Sequence, residues 1–466
     1  MAEDPHDLGD VLAALDMDRA RAELEALVRI PSISAPGHDP AEVRRSAEAT
    51  AALLADAGLA DVTLLEVDGA PPSVFAQWSG AGTDALTVLL YAHHDVQPVA
   101  TPHRWTSPPF EPTEREGRLY GRGAADDKAG ILVHVAAVRA WLAARGALPV
   151  NVKVIVEGEE EIGSPHLAEL VSAHADRLRA DVIVLTDVAN WKVGWPGLTY
   201  ALRGLADLVV TVRTLRQPVH SGMWGGPVPD ALTALARLLA SLHDEHGAIA
   251  VDGFADDVRA MTVEERARMD DLEADPEALR AEAGMLDSVR WAGDPDTPLL
   301  ERIWMHPTIT PIAIEAPGLD EASNQLVAQA RAKLSVRLAP GQDPDRVMTL
   351  LSDHLRRHAP FGAEVDVERG VAVPAWSTEP TGPAFAAAAR AMEAAYGRPP
   401  ALLGCGGTIP FVAPFAEAFG GVPCLLTGIE DPATNAHGED ESVHLGDFAR
   451  ACAAEAHLFA ELARGE

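Results

Sequence analysis

Cysteine is scarce in this chain: Cys405, Cys424 and Cys452 are the only three in 466 residues. None is spaced C-x-x-C, so neither a disulfide framework nor a thiolate zinc site is expected, and the count fits a reduced cytoplasm. Basic side chains are also few, 37 against 70 acidic ones, for a net charge of -33. That balance argues against nucleic acid or an anionic membrane as the main partner. No apolar run approaches the roughly 18 residues that would span a bilayer. The opening MAEDPHDLGD is acidic, with no basic segment leading into an apolar one, so no signal peptide is expected. Familiar short motifs are missing too. GRGAADDKAG lacks the third glycine of a dinucleotide fingerprint, GCGGTIP lacks the lysine of a phosphate loop, and neither H-E-x-x-H nor G-x-S-x-G occurs.

What is present is a globular chain, 47% hydrophobic and too long for one ordinary core, so two domains are the natural prior. Helical spacing covers residues 24–30 and 41–59. ALTVLLYAHHD (85–95), VNVKVIV (150–156) and ADVIVLTD (180–187) read as buried strands, with a helix over 127–146 stopped by Gly146. Strands alternating with helices imply a mainly parallel α/β sheet, which binds ligands at the carboxyl ends of its strands. The pattern then changes. Strand patterns at 205–215, 308–316, 329–340 and 363–370 and helical ones at 230–247 and 344–360 give the order β-α-β-β-α-β, around an acidic, helix-prone insertion up to about residue 300. Helix, strand and helix return at 383–396, 421–427 and 445–463. The reading is a catalytic α/β domain over 1–200 and 376–466, interrupted by a ferredoxin-like α+β domain over 201–375.

Polar residues gather where the strands of the first domain give out: His93-x-Asp95, Asp126-Asp127, Glu160-Glu161, Asp187, and His437 in NAHGEDE. Each alone has a plain explanation. Acids after a strand suit a solvated turn or a helix N-terminus, Asp126 or Asp127 suits an N-cap, and a lone histidine is usually structural. Together, imidazoles and carboxylates suit Zn²⁺, Mn²⁺ or Co²⁺. Five candidate ligands exceed the needs of one zinc, whereas two metals about 3.5–4 Å apart that share a carboxylate would use them all. One glutamate of EGEEEIGS could ligate while its neighbour acts as a base on water.

YAHHDVQPV, LYGRGAADDKAG, EGEEEIGS, TDVAN, VHSGMWGG, KLSVRLAPGQ and NAHGEDE resemble the signature blocks of the M20 metallopeptidases, and most closely the dipeptidases similar to carnosinase and the cytosolic nonspecific dipeptidase. The blocks run from about residue 90 to 441. The resemblance implies that His93 binds one metal, that Asp126 bridges both, and that Glu161 and His437 complete one metal and Asp187 the other. It implies that Asp95 orients His93 and that the Asp126–Asp127 peptide is cis. Glu160 would be the general base, so that hydroxide attacks the scissile carbonyl and Glu160 then protonates the leaving amine. His220 would stabilise the oxyanion from the partner subunit of a homodimer, Arg337 would hold the substrate's C-terminal carboxylate, Thr408 would lie near that carboxylate, and Asn324 would line the site. Glu157 and Glu159 receive no role and fit a solvated turn. His94 is unassigned.

The chain departs from the pattern at Ala92 and His94, at Leu403-Gly404-Cys405, and at Gly438 and Asp440, none of them a proposed ligand. The expectation is therefore a cytoplasmic dipeptidase with two divalent ions, zinc or manganese with cobalt as a further choice, acting on short peptides. An N-acyl-amino-acid amidohydrolase on the same metals is the alternative, and an inactive metal-binding relative the third reading.

Overall fold

The computed structural model describes residues 8–465. Residues 1–7, part of the acidic opening read as lacking a signal peptide, lie outside the described residues. The principal elements, in chain order, are α1 (Met17–Val28), α2 (Pro40–Asp56), β1 (Ala60–Leu65), β2 (Ser73–Trp78), β3 (Thr87–His93), α3 (Lys128–Arg145), β4 (Asn151–Glu157), α4 (Leu167–Leu178), β5 (Val182–Ala189) and β6 (Gly197–Leu202). There follow β7 (Gly204–Arg213), α5 (Ala231–Ala240), β8 (Thr308–Glu315), β9 (Gln329–Leu338), α6 (Pro344–Arg357) and β10 (Glu364–Val373), then α7 (Pro383–Tyr396), β11 (Cys424–Glu430) and α8 (Leu445–Ala463). The chain divides into two compact units. One comprises Met1–Tyr200, Thr378–Leu403 and Ile409–Glu466, the other Ala201–Ser377 with Gly404–Thr408.

In the first unit the strand order is β1-β2-β4-β3-β5-β11-β6. The inner neighbours β4–β3, β3–β5 and β5–β11 pair in parallel. The margins β1–β2, β2–β4 and β11–β6 are antiparallel. Inner strands of such a sheet are covered on both faces, so they read as unbroken apolar runs. In β3, Val88 to Ala92 are all fully buried. Helix α3 ends as expected at Gly146, whose φ of 67° lets its N–H reach the carbonyl of Leu142 at 2.9 Å. Its Trp141 indole donates to the Ala456 carbonyl of α8 at 2.9 Å. His93 closes β3 and pairs in register with Glu157, the last residue of β4. Asp187 lies inside β5 rather than at its end, because the strand runs on to Ala189.

In the second unit the four strands form an antiparallel sheet in the order β8-β9-β7-β10. With α5 and α6 this closes the β-α-β-β-α-β order into a ferredoxin-like fold. Strand β9 alternates: Ala330, Ala332, Leu334, Val336 and Leu338 are buried in one cluster with Leu235 and Leu238 of α5 and Leu351 and Leu355 of α6. Arg337, between two of these core residues, belongs to the opposite face. Helix α5 stops at Ala240, well short of Gly247. The Asp244 carboxylate accepts the N–H groups of His246 (2.8 Å) and Ala248 (2.9 Å), and His243 bridges to Ile249, so the chain turns there. The acidic insertion holds three short helices, Val263–Asp270, Pro276–Glu282 and Leu299–Met305.

Candidate metal centre

The strand ends of the first unit deliver the predicted residues to one place. His93 and Asp95 are both fully buried. His93 Nδ1 lies 3.1 Å from the Asp95 carbonyl oxygen and 3.4 Å from Asp95 Oδ1. Its Nε2 faces Asp126 Oδ1 at 3.0 Å and Asp187 Oδ1 at 3.8 Å. The other oxygen of Asp126, Oδ2, is 3.0 Å from His437 Nε2, which is itself 3.3 Å from Glu161 Oε2. Asp126 therefore offers one carboxylate oxygen to each of two histidines. Two groups of donor atoms, His93/Asp127/Asp187 and Asp126/Glu161/His437, each lie within 4.8 Å of one another. The Asp126–Asp127 peptide is cis.

Asp127 adds to what the sequence assigned. It occupies the N-cap position of α3 without capping it. Its Oδ2 instead accepts the His93 N–H at 3.2 Å, and its Oδ1 has no hydrogen-bond partner among the described residues. Burial and the charge of Asp187 hold the Asp127 carboxyl well above the usual carboxylate range. Glu160 is raised in the same way: burial leads, His93 opposes it, and the negative charges of Asp187 and Glu161 add to it. Asp126 goes the other way. Burial disfavours its charge, but hydrogen bonds with His437 and His93 depress it strongly. The cluster has more carboxylates than its imidazoles can neutralise, one orphaned buried oxygen and no thiolate. A pair of divalent cations fits that donor set.

Asp95 reaches further than the orientation of His93. Its Oδ1 accepts the Glu160 N–H (3.2 Å), and its Oδ2 accepts the Glu161 N–H (3.1 Å) and the Ser34 hydroxyl (2.6 Å). One carboxylate thus fixes the backbone of both Glu160 and Glu161, which lie in a short 3₁₀ turn, Glu160–Ile162.

The solvated reading of Glu157 and Glu159 is wrong: they are 1% and 4% exposed. Glu157 Oε2 accepts the Tyr91 hydroxyl at 2.7 Å, and burial pushes its carboxyl up to about 7. Glu159 accepts the His166 N–H at 2.8 Å and meets His166 Nδ1 at 2.9 Å, at the start of α4. Each acid finds a partner that its local sequence does not advertise. His94 is buried, with Nε2 2.9 Å from the Pro72 carbonyl, and burial pushes it down to about 4, so it is a neutral structural donor.

The remaining predicted residues lie in the second unit, as two pairs. His220 is exposed, and its Nδ1 accepts the Gly222 N–H at 3.0 Å. It pairs with Gln325 in a two-stranded ladder, beside which the Asn324 carbonyl accepts the Ser221 N–H at 2.9 Å. Arg337 Nη1 donates to Thr408 Oγ1 at 2.8 Å, and that hydroxyl donates to the Arg203 carbonyl at 2.5 Å. The hydroxyl proton of Thr408 is thereby committed, so its side chain offers no donor toward an anion. Arg203 was missed by the sequence reading. It donates to the carbonyls of Gly406 (3.0 Å) and His306 (3.2 Å), pinning the loop that carries Thr408. Burial, then the charge of Arg337, lowers it to about 10. Nothing in the run ALRGL marks it out.

The sequence and the fold have counterparts in known proteins. The model for Peptidase family M20/M25/M40 matches residues 89–461. The chain is 38% identical over 378 residues to the cysteinylglycine-S-conjugate dipeptidase of Corynebacterium striatum, covering 80% of this chain and 81% of that protein. It is 32% identical to the Beta-Ala-His dipeptidase of Homo sapiens, over 84% of this chain and 78% of that one. Among solved structures it is similar to the dipeptidase Dug1p from Saccharomyces cerevisiae, with a TM-score of 0.88, 26% identity and coverage of 98% and 99%. With the strand-end histidines and carboxylates lying inside the matched span, the chain belongs to peptidase family M20/M25/M40.

Proposed function

We propose that the protein is a metal-dependent dipeptidase that hydrolyses the peptide bond of short substrates bearing a free C-terminal carboxylate. The observation that carries this reading is Asp126, with Oδ1 at His93 and Oδ2 at His437, each 3.0 Å away. His93, Asp126 and Asp187 would hold one ion and Asp126, Glu161 and His437 the other, with Asp127 in reach of the first group. When bound, two such cations neutralise the acidic cluster, acidify water and polarise a carbonyl. Zinc or manganese, with cobalt as a further choice, suits imidazole and carboxylate donors.

The chain's own residues then act in order. Glu160 takes a proton from the attacking water and returns it to the leaving amine, so the same carboxyl serves as base and then acid. Burial among other acids favours the protonated half of that cycle. Asp95 keeps Glu160 and Glu161 in place through their N–H groups. Arg337 pairs with the substrate carboxylate, while Thr408 orients the guanidinium instead of touching the anion. His220 stabilises the oxyanion and acts from the partner subunit of a homodimer, with Asn324 beside it.

The second unit would serve as lid and dimerisation surface. Its exposed apolar side chains support this: Met223 and Trp224 next to His220, and Ile312 and Ile314 on edge strand β8. Cytoplasmic residence fits the three cysteines, all free. The named relatives are all dipeptidases, which favours peptide hydrolysis over cleavage of N-acyl amino acids, and retention of Glu160 speaks against an inactive relative.

Chelator-stripped protein reloaded separately with Mn²⁺, Zn²⁺ or Co²⁺ tests the activity against dipeptides, tripeptides, and N-acetyl and N-succinyl amino acids. Metal-dependent cleavage confined mainly to dipeptides is expected; cleavage of N-acyl amino acids alone would overturn the substrate assignment. Mixing His220→Ala with Glu160→Gln protein tests the trans arrangement. Mixed dimers should regain activity, and no recovery would place His220 in its own subunit's chemistry or outside it.

A further inference from the structure

Asp126 and His437 sit on loops far apart in the chain, and two buried side chains that touch no donor atom of the centre join those loops. Arg122 Nη1 donates to Glu441 Oε2 at 2.5 Å, and Arg122 Nη2 donates to the carbonyls of His437 (3.0 Å) and Gly438 (3.1 Å). Glu441 Oε1 accepts the N–H groups of Ala125 (3.1 Å) and Asp126 (3.3 Å). The Glu441 carbonyl accepts the Gly121 N–H at 2.9 Å. The side chains of Arg122 and Glu441 are 3% and 0% exposed, and the guanidinium stands 5.5 Å from the centre of the Trp105 ring.

The backbone they grip needs holding. His437, Asn435 and Asp440 have φ of 64°, 53° and 55°, the left-handed region that these residue types visit more readily than other non-glycine residues but still at some cost. Arg122 grips the carbonyl of His437 itself. The root of the same loop is secured separately: Arg118 pairs with Asp431 at 2.9 Å and donates to Ser442 Oγ at 2.8 Å. The 431–442 loop can therefore keep its root while losing its grip near His437.

We infer that Arg122 and Glu441 are positioning residues that set the distance between Asp126 and His437, and so tighten cation binding selectively at the Asp126/Glu161/His437 group. The inference rests on the two-metal reading. It assigns a function to a buried charge pair that would otherwise be only a costly element of the fold: ion pairs of this kind contribute little net stability once desolvation is counted. Partners that orient ligands without touching the metal typically carry about 10–100-fold of its affinity.

The test is Mn²⁺ titration of chelator-stripped full-length protein by calorimetry, for wild type, Glu441→Gln and Arg122→Lys. Arg122→Lys keeps the charge and loses the fork that spans Glu441 and the two carbonyls. Wild type should show two sites. In both variants one site should weaken about 10–100-fold and the other should stay within about twofold. Glu441→Gln should also lower the melting temperature of the metal-free protein, because Arg122 is left buried without its counter-charge, whereas Arg122→Lys keeps the opposite charges together. The weakened site should be the one that His437→Ala abolishes and Asp187→Ala spares. Unchanged affinities at both sites would overturn the inference while leaving the metal reading intact. Equal weakening of both sites in both variants would also overturn it, by showing a merely structural pair. A wild-type protein that bound no Mn²⁺ would remove the metal reading, and this inference with it.

Discussion

In the first unit carboxylates crowd around two imidazoles, while in the second Arg203 and Arg337 lie side by side, partly buried, with no ion pair among the described residues. A third charged pair makes the contrast instructive. His134 and Glu455, both buried, meet at 2.8 Å, and His134 Nε2 lies 3.0 Å from the Tyr91 carbonyl. That pair is balanced and complete, as buried charge normally is. The other two regions are unbalanced in opposite senses, and an imbalance that the fold does not correct marks a place for a ligand of the opposite sign. Cations suit the first, and the substrate carboxylate proposed above would suit the second.

Substitutions at each place test the contrast. Glu160→Gln should lower turnover the most, by about 10²–10⁴-fold, the range that a positioned acid–base group contributes, with two metals still bound by elemental analysis. Normal turnover would remove Glu160 from the chemistry. His134→Gln should leave activity per folded molecule intact and cost about 3–5 kcal/mol of stability, because Glu455 is left buried without its cation. The pH dependence has a defined sign. Burial alone would lower the pKa of His134, but the charge and hydrogen bond of Glu455 raise it above the ordinary value. Its contribution is thus fully present below a pH of about 6.5 and is lost as pH rises through the raised folded value. Melting curves should show the gap between wild type and variant widest in acid, and a gap that widened in base would refute the pairing.

Arg337→Met should reduce kcat/KM for dipeptides by about 10–100-fold, since hydrogen bonds to charged groups are worth roughly 1.5–3 kcal/mol. Cleavage of the C-terminal amide of the same dipeptide should barely change. Equal losses on both substrates would mean that Arg337 does not read the carboxylate. The smallest effect is expected at Glu159→Gln, a pair with the partly exposed His166, at about 1 kcal/mol or less in thermal unfolding.

The fold class was readable because its physics is local. Buried parallel strands are runs such as TVLLYA, and β9 alternates residue by residue. The antiparallel margin strands β1 and β2 went unread, since their mixed sequences ADVTLL and SVFAQW carry neither signature. The same limit applies at the site. His93, Asp126, Glu161 and His437 stood out through joint occurrence, as imidazoles and carboxylates gathered where strands give out, and the resemblance sorted them into roles. Glu157 and Glu159 misled because residue type says solvent while burial is decided by Tyr91 and His166. Arg203 was silent for a similar reason: its partners are backbone carbonyls of Gly406 and His306, which no sequence pattern announces. Glu441 was visible within NAHGEDE, but its link to Arg122 is a property of two loops meeting.

That meeting has a consequence for how the protein is made. Asp126 waits for Glu441, which is added 315 residues later. At about 5–20 residues per second, a nascent chain spends roughly 15–60 s with the first ligands synthesised and the last still missing. The centre is therefore among the last parts of the molecule to be completed, and a chain cut short before residue 437 would carry the proposed base and four of the five proposed ligands without the clasp that joins them.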